Sequence, residues 1–182
     1  MSERAVKAGQ YQIKRAESLA EVEVAAWLVA AAVRESYREI VSPAVLEAMT
    51  SNDYVIPRIH SWWRATVDGA HIWLAKRSSD LKAVATAYAD ASDDPEAPTA
   101  LELRILFALD EAKGSGLADA LLHAAIGDSP AFLWTLSGND RAIGFYRKHG
   151  FRLDGASRTS FHLTAGRDGV AAPTEVRLVR LN

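Results

Sequence analysis

The first feature of this sequence that could do chemistry is a group of closely spaced glycines. It reads Lys113-Gly114-Ser115-Gly116-Leu117-Ala118 and follows the apolar segment 101–109. Free backbone N–H groups and the positive end of the helix dipole make the start of a helix a binding site for phosphate. The same glycines also suit a plain tight turn between a strand and a helix. The spacing therefore predicts a helix start here and permits a phosphate-bearing ligand.

Two familiar phosphate motifs do not fit this group. A P-loop would end in Gly-Lys-Ser/Thr, which is absent. A dinucleotide fingerprint would need glycine or alanine where Asp119 stands. Nucleotide binding by either of these two motifs is therefore excluded.

A second group of candidate residues lies further along the chain, from Asn139 to Phe151. Asn139 precedes a segment with helical periodicity and fits the N-cap of that helix. Gly150 fits the position just after the helix ends. Tyr146 lies inside the helix, beside Phe145, and could be either a packed aromatic or a phenol that donates a proton.

Taken together, residues 101–151 resemble the core of the GNAT superfamily of acetyl-CoA-dependent N-acetyltransferases. The family's pyrophosphate-loop pattern, Gln/Arg-x-x-Gly-x-Gly/Ala, falls on Lys113, Gly116 and Ala118, with lysine in the first place. The resemblance implies an enzyme that uses acetyl-CoA as co-substrate. The family's later pattern, Asn-x-x-Ala-x-x-x-Tyr followed by Gly-Phe, falls on Asn139, Ala142, Tyr146, Gly150 and Phe151.

The resemblance also implies a role for individual residues. Asn139 would contact the cofactor arm or support the adjoining strand. Tyr146 would protonate the departing thiolate, since a phenol with a pKa near 10 can hydrogen-bond the sulfur as negative charge develops on a group whose thiol has a pKa of about 8.5. Two sets of residues would hold acetyl-CoA: the backbone of Leu106, Phe107 and Ala108 along the pantetheine arm, and Lys113, Gly114, Ser115, Gly116, Leu117, Ala118 and Asp119 around the pyrophosphate.

The general base stays open at this point. Glu102 is one candidate, because the resemblance implies a base at a glutamate early in this strand, and strand alternation places Glu102 opposite Leu103, Ile105 and Phe107. It could equally be a solvated carboxylate or an ion-pair partner of Arg104 or Arg177. His71, on a predicted hairpin, and a water relay are the alternatives.

The predicted acceptor is a primary amine of a small molecule. It would enter between segments 34–49, 52–64 and 159–174, which are rich in bulky apolar residues. A protein N-terminus or lysine is an alternative acceptor. A different class of function is an acyl-CoA-binding sensor that binds the ligand without turnover.

Composition sets further limits. The 182 residues carry a formal net charge of -2, which predicts no nucleic-acid partner, and no segment is apolar enough to predict a membrane span. There is no cysteine, and His60 and His71 have no metal-ligand spacing, so we predict no metal. A cytoplasmic protein is expected. A homodimer is possible, with the predicted strand 175–179 pairing across the interface.

Periodicity predicts the elements that must position these residues. Ser18 and Glu21 form a capping box at the start of a long amphipathic helix that reaches Arg38. Further helices are predicted at 43–49, 53–67, after the glycines, and at 140–149. Strands are predicted at 11–15, 71–75, 81–89, 101–109, 131–136, 151–153, 158–163 and 175–179.

These elements predict an α/β (α+β) chain, and the resemblance implies a GNAT-like fold. A central mixed sheet of six to seven strands would be flanked by helices on both faces. Residues 1–10 would be flexible, and 11–182 would form one domain. Trp27, Trp73 and Trp134 are expected in the core, whereas one of Trp62 and Trp63 could line the acceptor pocket and face a cationic amine.

Overall fold

The computed structural model describes residues 10–164 and 167–181, so most of the predicted flexible segment 1–10 lies outside the described residues. Seven strands form one mixed sheet in the order β1-β2-β3-β4-β5-β7-β6. This confirms the predicted fold class. The strands are β1 Tyr11–Arg15, β2 His71–Arg77, β3 Ala83–Ala91, β4 Leu101–Ala108, β5 Ala131–Leu136, β6 Arg152–Thr159 and β7 Thr174–Arg180. The helices are α1 Leu19–Tyr37, α2 Pro43–Met49, α3 Asn52–Val67, α4 Leu117–Ile126 and α5 Asp140–Lys148.

The helices cover both faces of the sheet, as the apolar periodicity predicts. Helices α1, α2 and α3 pack on one face, where Val22, Val29 and Trp62 meet Ile72 and Tyr88. Helices α4 and α5 pack on the other face. Their buried residues include Leu117, Leu121, Leu122, Ile143 and Tyr146, which meet Val84, Leu103, Leu133 and Leu178 of the strands.

The start of α1 follows the predicted capping box. The N–H of Glu21 donates to Ser18 Oγ at 3.3 Å, and the Glu21 carboxylate accepts the N–H of Glu17 at 3.0 Å. That backbone hydrogen bond, with an ion pair to Lys76 at 2.7 Å, lowers the pKa of Glu21. The apolar stripe of α1 then continues to Tyr37, the last residue of the helix.

A β-bulge in β4 changes which side chains share a face. Tyr88 pairs with Ile105 but Ala89 pairs with Leu103, so Arg104 is an extra residue in β4. Because one inserted residue shifts the alternation, the predicted grouping of Leu103 with Ile105 is wrong. Leu103 packs on the α4–α5 face, whereas Ile105 packs on the α1–α3 face. Glu102, which alternates with Leu103, therefore lies on the α1–α3 side.

The sheet is nearly interrupted between β4 and β5. These parallel strands pair at one position, where Glu102 lies opposite Phe132. Beyond that point the edge of β4 has no strand beside it. Strand β7, in contrast, pairs with β5 on one side and β6 on the other. The prediction that segment 175–179 could pair with a second copy is therefore wrong, because both of its edges are occupied.

Near the C-terminus, two strands predicted at 151–153 and 158–163 are replaced by one strand and a turn. Strand β6 runs through Gly155, whose φ of 92° accommodates an irregular stretch between Leu153 and Ser157. A 3-10 turn, Phe161–Thr164, follows it. The apolar pattern after Thr159 reflects Leu163, which is buried against α2 rather than in the sheet.

The expectation that three tryptophans lie in the core is wrong. Trp27 is 37% exposed, because it follows Ala26 and so lies off the buried stripe of α1. Trp73 is half-buried, with the guanidinium of Arg15 5.1 Å from its ring centre. Trp134 is half-buried as well and belongs to the candidate site described below.

Candidate active site

A cavity of about 1570 Å³ lies where β4 and β5 separate. Its walls come from β4, the 110–119 segment, α5 and the end of α1. The volume exceeds what a drug-sized ligand needs and suits a long one. The cavity brings together most of the residues that the sequence predicts, namely Leu106, Phe107, Ala108, Lys113, Gly114, Gly116, Leu117, Ala118, Asp119, Asn139 and Tyr146.

The wall formed by β4 offers backbone hydrogen-bonding groups. Leu106, Phe107 and Ala108 pair with β3 on one side, and β5 does not pair with them on the other. The N–H and C=O groups that point toward β5 are therefore available. An extended ligand that carries amides can pair with them as an added strand would.

The glycine turn supplies the second set of free donors. Gly114 and Gly116 have φ values of 76° and 82°, in the left-handed region that favours glycine, and α4 begins at Leu117. Leu117 N–H donates to Ser115 Oγ at 3.3 Å. The turn thus has the geometry of an anion site. Within residues 10–164 and 167–181, no acceptor meets the N–H groups of Gly114, Gly116, Ala118 and Asp119.

The lysine of this turn is already paired with other side chains of the protein. Lys113 Nζ forms an ion pair with Asp110 and lies 3.3 Å from Ser36 Oγ. The hydrogen bond from Lys113 lowers the pKa of Asp110. Two further cations, Arg38 and Arg141, line the cavity, and their charges also act on Asp110. The sequence analysis missed both of them, because neither belongs to the glycine turn.

Tyr146 is placed at the cavity by α5. The cap of that helix forms as predicted, since Asn139 Oδ1 accepts the N–H of Ala142 at 3.2 Å. Tyr146 is 7% exposed, and its ring packs edge-on against Phe145 and Phe151. Burial raises the pKa of Tyr146, and the nearby Tyr37 adds to the rise. The phenol therefore stays protonated at neutral pH.

Tyr37 is a site residue that the sequence analysis missed. It lines the same cavity, lies close to Tyr146, and packs edge-on against Phe107 with 5.8 Å between ring centres. Burial raises its pKa, while a hydrogen bond from the Asn139 side chain opposes the rise. A signal was present in the sequence, because Tyr37 falls four residues after Val33 on the buried stripe of α1.

The two candidate bases have different positions. Glu102 lies at the paired end of β4 and β5, with its side chain 16% exposed and Arg104 Nη1 at 3.5 Å. Burial raises the pKa of Glu102, and the charge of Arg104 opposes that rise. The neighbouring Leu103 and Arg104 line the cavity. His71 is exposed at the start of β2, with β3 between it and β4, and it does not line the cavity.

A second buried carboxylate, Glu175, had no signal in the sequence. It lies opposite Leu136 and is 8% exposed. Its Oε2 atom accepts hydrogen bonds from Arg158 Nε at 2.9 Å and from Ser160 Oγ. Its negative charge raises the pKa of Glu102, as well as the pKa values of Tyr37 and Tyr54.

Two arginines of the sheet beside Glu175 stack on the ring of Trp134. The guanidinium of Arg158 lies 4.2 Å from the ring centre of Trp134, and that of Arg177 lies 5.5 Å away. Arg177 Nε is in turn 2.7 Å from a carboxylate oxygen of Asp154. Arg158 and Arg177 each have a carboxylate partner, so their charges are largely balanced within the protein.

The paired tryptophans of α3 do not offer an open face to an amine. Trp62 is buried, and its ring contacts Tyr88 at 5.6 Å and the guanidinium of Arg58 at 5.5 Å. Trp63 is half-buried and packs against the same core. The cation over Trp62 is therefore the protein's own arginine.

Two kinds of feature are absent from the described part of the chain. Those residues contain no group of three or more acidic, histidine or cysteine side chains that could hold a metal ion. None of the helices described above is long and apolar enough to cross a membrane.

Residues 68–153 match the family model of the acetyltransferase (GNAT) domain. This match confirms the resemblance noted in the sequence. It starts after α1, α2 and α3 and ends before most of β6 and all of β7. No curated protein sequence matches the chain.

Solved structures share the fold over nearly the whole chain. The PaiA N-acetyltransferase of Thermoplasma acidophilum, in complex with coenzyme A, is 14% identical, with a TM-score of 0.67 over 94% of this chain and 99% of that one. The ribosomal-protein-alanine N-acetyltransferase of Brucella melitensis is 18% identical, with a TM-score of 0.63 over 94% and 99%. An N-acetyltransferase of Staphylococcus aureus is 14% identical, with a TM-score of 0.63 over 93% and 96%. At these identities the similarity establishes the fold alone.

Proposed function

We propose, from the GNAT acetyltransferase domain that this chain carries, that its site transfers an acetyl group from acetyl-CoA to a primary amine of a small molecule. One observation carries the proposal: the unpaired edge of β4, the free N–H groups of the glycine turn and the phenol of Tyr146 all border one cavity. Each feature matches a different part of an acyl-CoA.

The residues present suit acetyl-CoA from end to end. The free amides at Gly114, Gly116, Ala118 and Asp119 fit a pyrophosphate, with positive charge added by Arg38 and Arg141. The open edge of β4 fits the two amides of the pantetheine arm. The thioester would then lie near the bulge at Arg104, on the side of the cavity that Tyr146 also borders.

In the proposed reaction, the neutral amine attacks the thioester carbonyl carbon, and the carbon–sulfur bond breaks. Tyr146 donates its phenolic proton to the sulfur as negative charge develops there. Burial raises the pKa of Tyr146, so the phenol carries its proton at neutral pH. Transfer is direct, because no cysteine is present and no side chain at the cavity is arranged as an activated nucleophile.

A base must accept the proton that the amine loses. Glu102 does not line the cavity itself, but it suits this step through a water molecule, because burial raises its pKa and its ion-pair partner Arg104 lines the cavity. A carboxyl group with a raised pKa is a stronger base than an exposed one. His71 is a weaker candidate, since β3 separates it from β4.

The small size of the acceptor is supported by the packing opposite the cofactor cleft. Leu163 of the 3-10 turn packs into the core beside Val45 and Met49 of α2. Arg167 forms an ion pair with Glu47 of α2 at 3.1 Å. These contacts hold the β6–β7 connection against α2, which favours a small amine over a folded protein.

Thiol release from acetyl-CoA across a panel of small amines and N-terminal peptides tests the proposal, with calorimetry of acetyl-CoA binding in parallel. We expect binding, and thiol release with at least one small amine but not with the peptides. Binding without release from any acceptor would instead support a sensor. Release with peptides alone would indicate a protein acetyltransferase, and an absence of binding would contradict all three functions.

A further inference from the structure

Arg58 of α3 is a half-buried cation held between two aromatic rings. Its guanidinium carbon lies 4.5 Å from the ring centre of Tyr54 and 5.5 Å from that of Trp62. Stacking of this kind fixes the plane of the guanidinium and leaves the N–H groups along its edge free to bind. An arginine stacked in this way is oriented to bind either a ligand or another group of the same protein.

The Tyr54 side chain hydrogen-bonds Arg58, but a neutral hydroxyl does not balance the charge of the guanidinium. Among the described residues, no carboxylate lies within 4.0 Å of Arg58, and no carbonyl accepts a hydrogen bond from it. The other half-buried or buried arginines each have at least one carboxylate or carbonyl partner, although Arg104 Nε and Arg180 Nε make no hydrogen bond within the described residues. These arginines are Arg77, Arg104, Arg167, Arg177 and Arg180.

Arg58 lies on the side from which the acceptor would approach. Arg58 stacks on Tyr54, and Tyr54 packs against the same buried cluster as Tyr37 and Phe107. Tyr37 lines the cofactor cavity and neighbours Tyr146. The nearby carboxylate of Glu175 is occupied by Arg158 and Ser160, which leaves the positive charge of Arg58 unbalanced on this side.

We propose that Arg58 binds a carboxylate of the acceptor, so that the substrate is a small amine that also carries a carboxylate, as amino acids do. The inference rests on the proposed acetyltransferase function and narrows its substrate class. A planar carboxylate matches the fork of a guanidinium with two parallel hydrogen bonds. Binding at Arg58 would hold the acceptor by its acidic end, while its amine points toward the thioester near Tyr146.

Matched pairs of acceptors test this inference. Each pair would contain an amino carboxylic acid and its carboxamide, in a series with increasing distance between the amine and the acidic group. We expect kcat/KM for the best acid to exceed that for its amide by roughly 10- to 100-fold, as for a charged hydrogen-bonded contact. In Arg58→Gln the difference should fall to about twofold, with the loss mainly in KM.

Two further variants separate ligand binding from packing. Arg58→Lys keeps the charge but loses the planar fork, and should retain only part of the preference for the acid. Arg15→Gln removes a similar arginine stacked on Trp73 at the far edge of the sheet and should keep the full preference.

The possible failures are distinct. If acids and amides react equally in the wild type, or if the preference survives Arg58→Gln, the inference about Arg58 is overturned while the acetyltransferase function stands. If Arg58→Gln lowers only the melting temperature, Arg58 serves packing and the inference is likewise overturned. If no acceptor of either kind releases thiol, both the inference and the proposed function fall together.

Discussion

The candidate site has two halves that are built in different ways. The cofactor half, residues 101–151, runs from β4 to the end of α5 as one continuous stretch and offers mainly backbone groups to its ligand. The proposed acceptor half consists of α1–α3, residues 19–67, with β6 and β7, residues 152–180. It offers side chains such as Tyr37, Arg58 and Glu175, which come from separate parts of the chain.

The difference teaches which kind of site a sequence displays. Backbone recognition requires glycines with positive φ, a helix start and an open strand edge, and each of these leaves a local pattern. Side-chain recognition can use any residue that the fold brings into place. The family match also favours the cofactor half, since residues 68–153 include all of that half but little of the acceptor half.

The largest effect is expected where the halves meet, at Tyr146. In Tyr146→Phe the thiolate loses its proton donor, so kcat should fall about 100-fold, the scale of general-acid catalysis. The dissociation constant for acetyl-CoA should stay within about twofold, because backbone groups do most of the binding. Steady-state kinetics and calorimetry measure the two quantities.

Tyr88→Phe is the matched control for this change. Tyr88 is also a buried tyrosine, but its hydroxyl donates to Asp90 at 2.7 Å and it does not line the cofactor cavity. It should keep nearly full kcat. An unaltered kcat in Tyr146→Phe would remove Tyr146 from the reaction and leave proton donation to another group.

A smaller effect, roughly tenfold in kcat/KM, is expected for Glu102→Gln. If Glu102 accepts the proton of the amine, wild-type kcat/KM should rise with pH through the raised pKa of Glu102, and this limb should vanish in the variant. The separate rise caused by deprotonation of the substrate amine should remain. A pH profile that keeps its acidic limb in Glu102→Gln would favour a base other than Glu102.

The free energy of unfolding gives a second test of Glu102, because Glu102→Gln should raise stability while it lowers kcat/KM. A carboxyl whose pKa is raised on folding favours the folded state below its unfolded pKa, and this contribution is lost as pH rises through the folded pKa. At neutral pH the buried charge therefore opposes folding. Glu102→Gln should then be more stable than the wild type at pH 8, with a smaller difference at pH 4, as urea unfolding would measure.

The smallest effect is expected in the cofactor half, for Gly114→Ala. A methyl group at Gly114 meets no atom within 4 Å, but the φ of 76° is strained for alanine. We expect a loss of about 1 kcal/mol in unfolding free energy and about fivefold weaker acetyl-CoA binding, since the free amides shift.

Gly69→Ala is the control, because Gly69 has a φ of 103° and open space around it, but lies just after α3, away from the cofactor cavity. It should lose similar stability without any change in acetyl-CoA binding. Equal effects on binding in the two variants would show that strain alone, rather than the turn, affects the ligand.

Much of the fold could be predicted from the sequence, because apolar periodicity and caps are local. The capping box at Ser18, the glycine turn and the N-cap at Asn139 all lie where the pattern predicts. The bulge at Arg104 could not be predicted, since it depends on pairing with Tyr88 and Ala89 of another strand. That single residue reverses the faces assigned to the second half of β4.

The candidate site could likewise be predicted where it depends on local sequence, but not where it depends on distant segments. Asn139 and Tyr146 share one helix and its cap, so their spacing in sequence is their spacing in space. Tyr37 lay on a visible stripe of α1 but had no partner in sequence to indicate a role. Glu175 and Arg58 come from β7 and α3, and nothing in the local sequence distinguishes them from ordinary surface charges.

The single paired position between β4 and β5 affects how the protein resists unfolding. Four strands lie on one side of this seam and three on the other, and backbone pairing joins them only at Glu102 and Phe132. A ligand that pairs along β4 would act as a bridge between the two groups. At 100 times its dissociation constant it would add about 2.7 kcal/mol to the free energy of unfolding. The free energy of unfolding would then depend on the concentration of acyl-CoA. Amide hydrogen exchange of the β4 and β5 backbone would slow as that concentration rises.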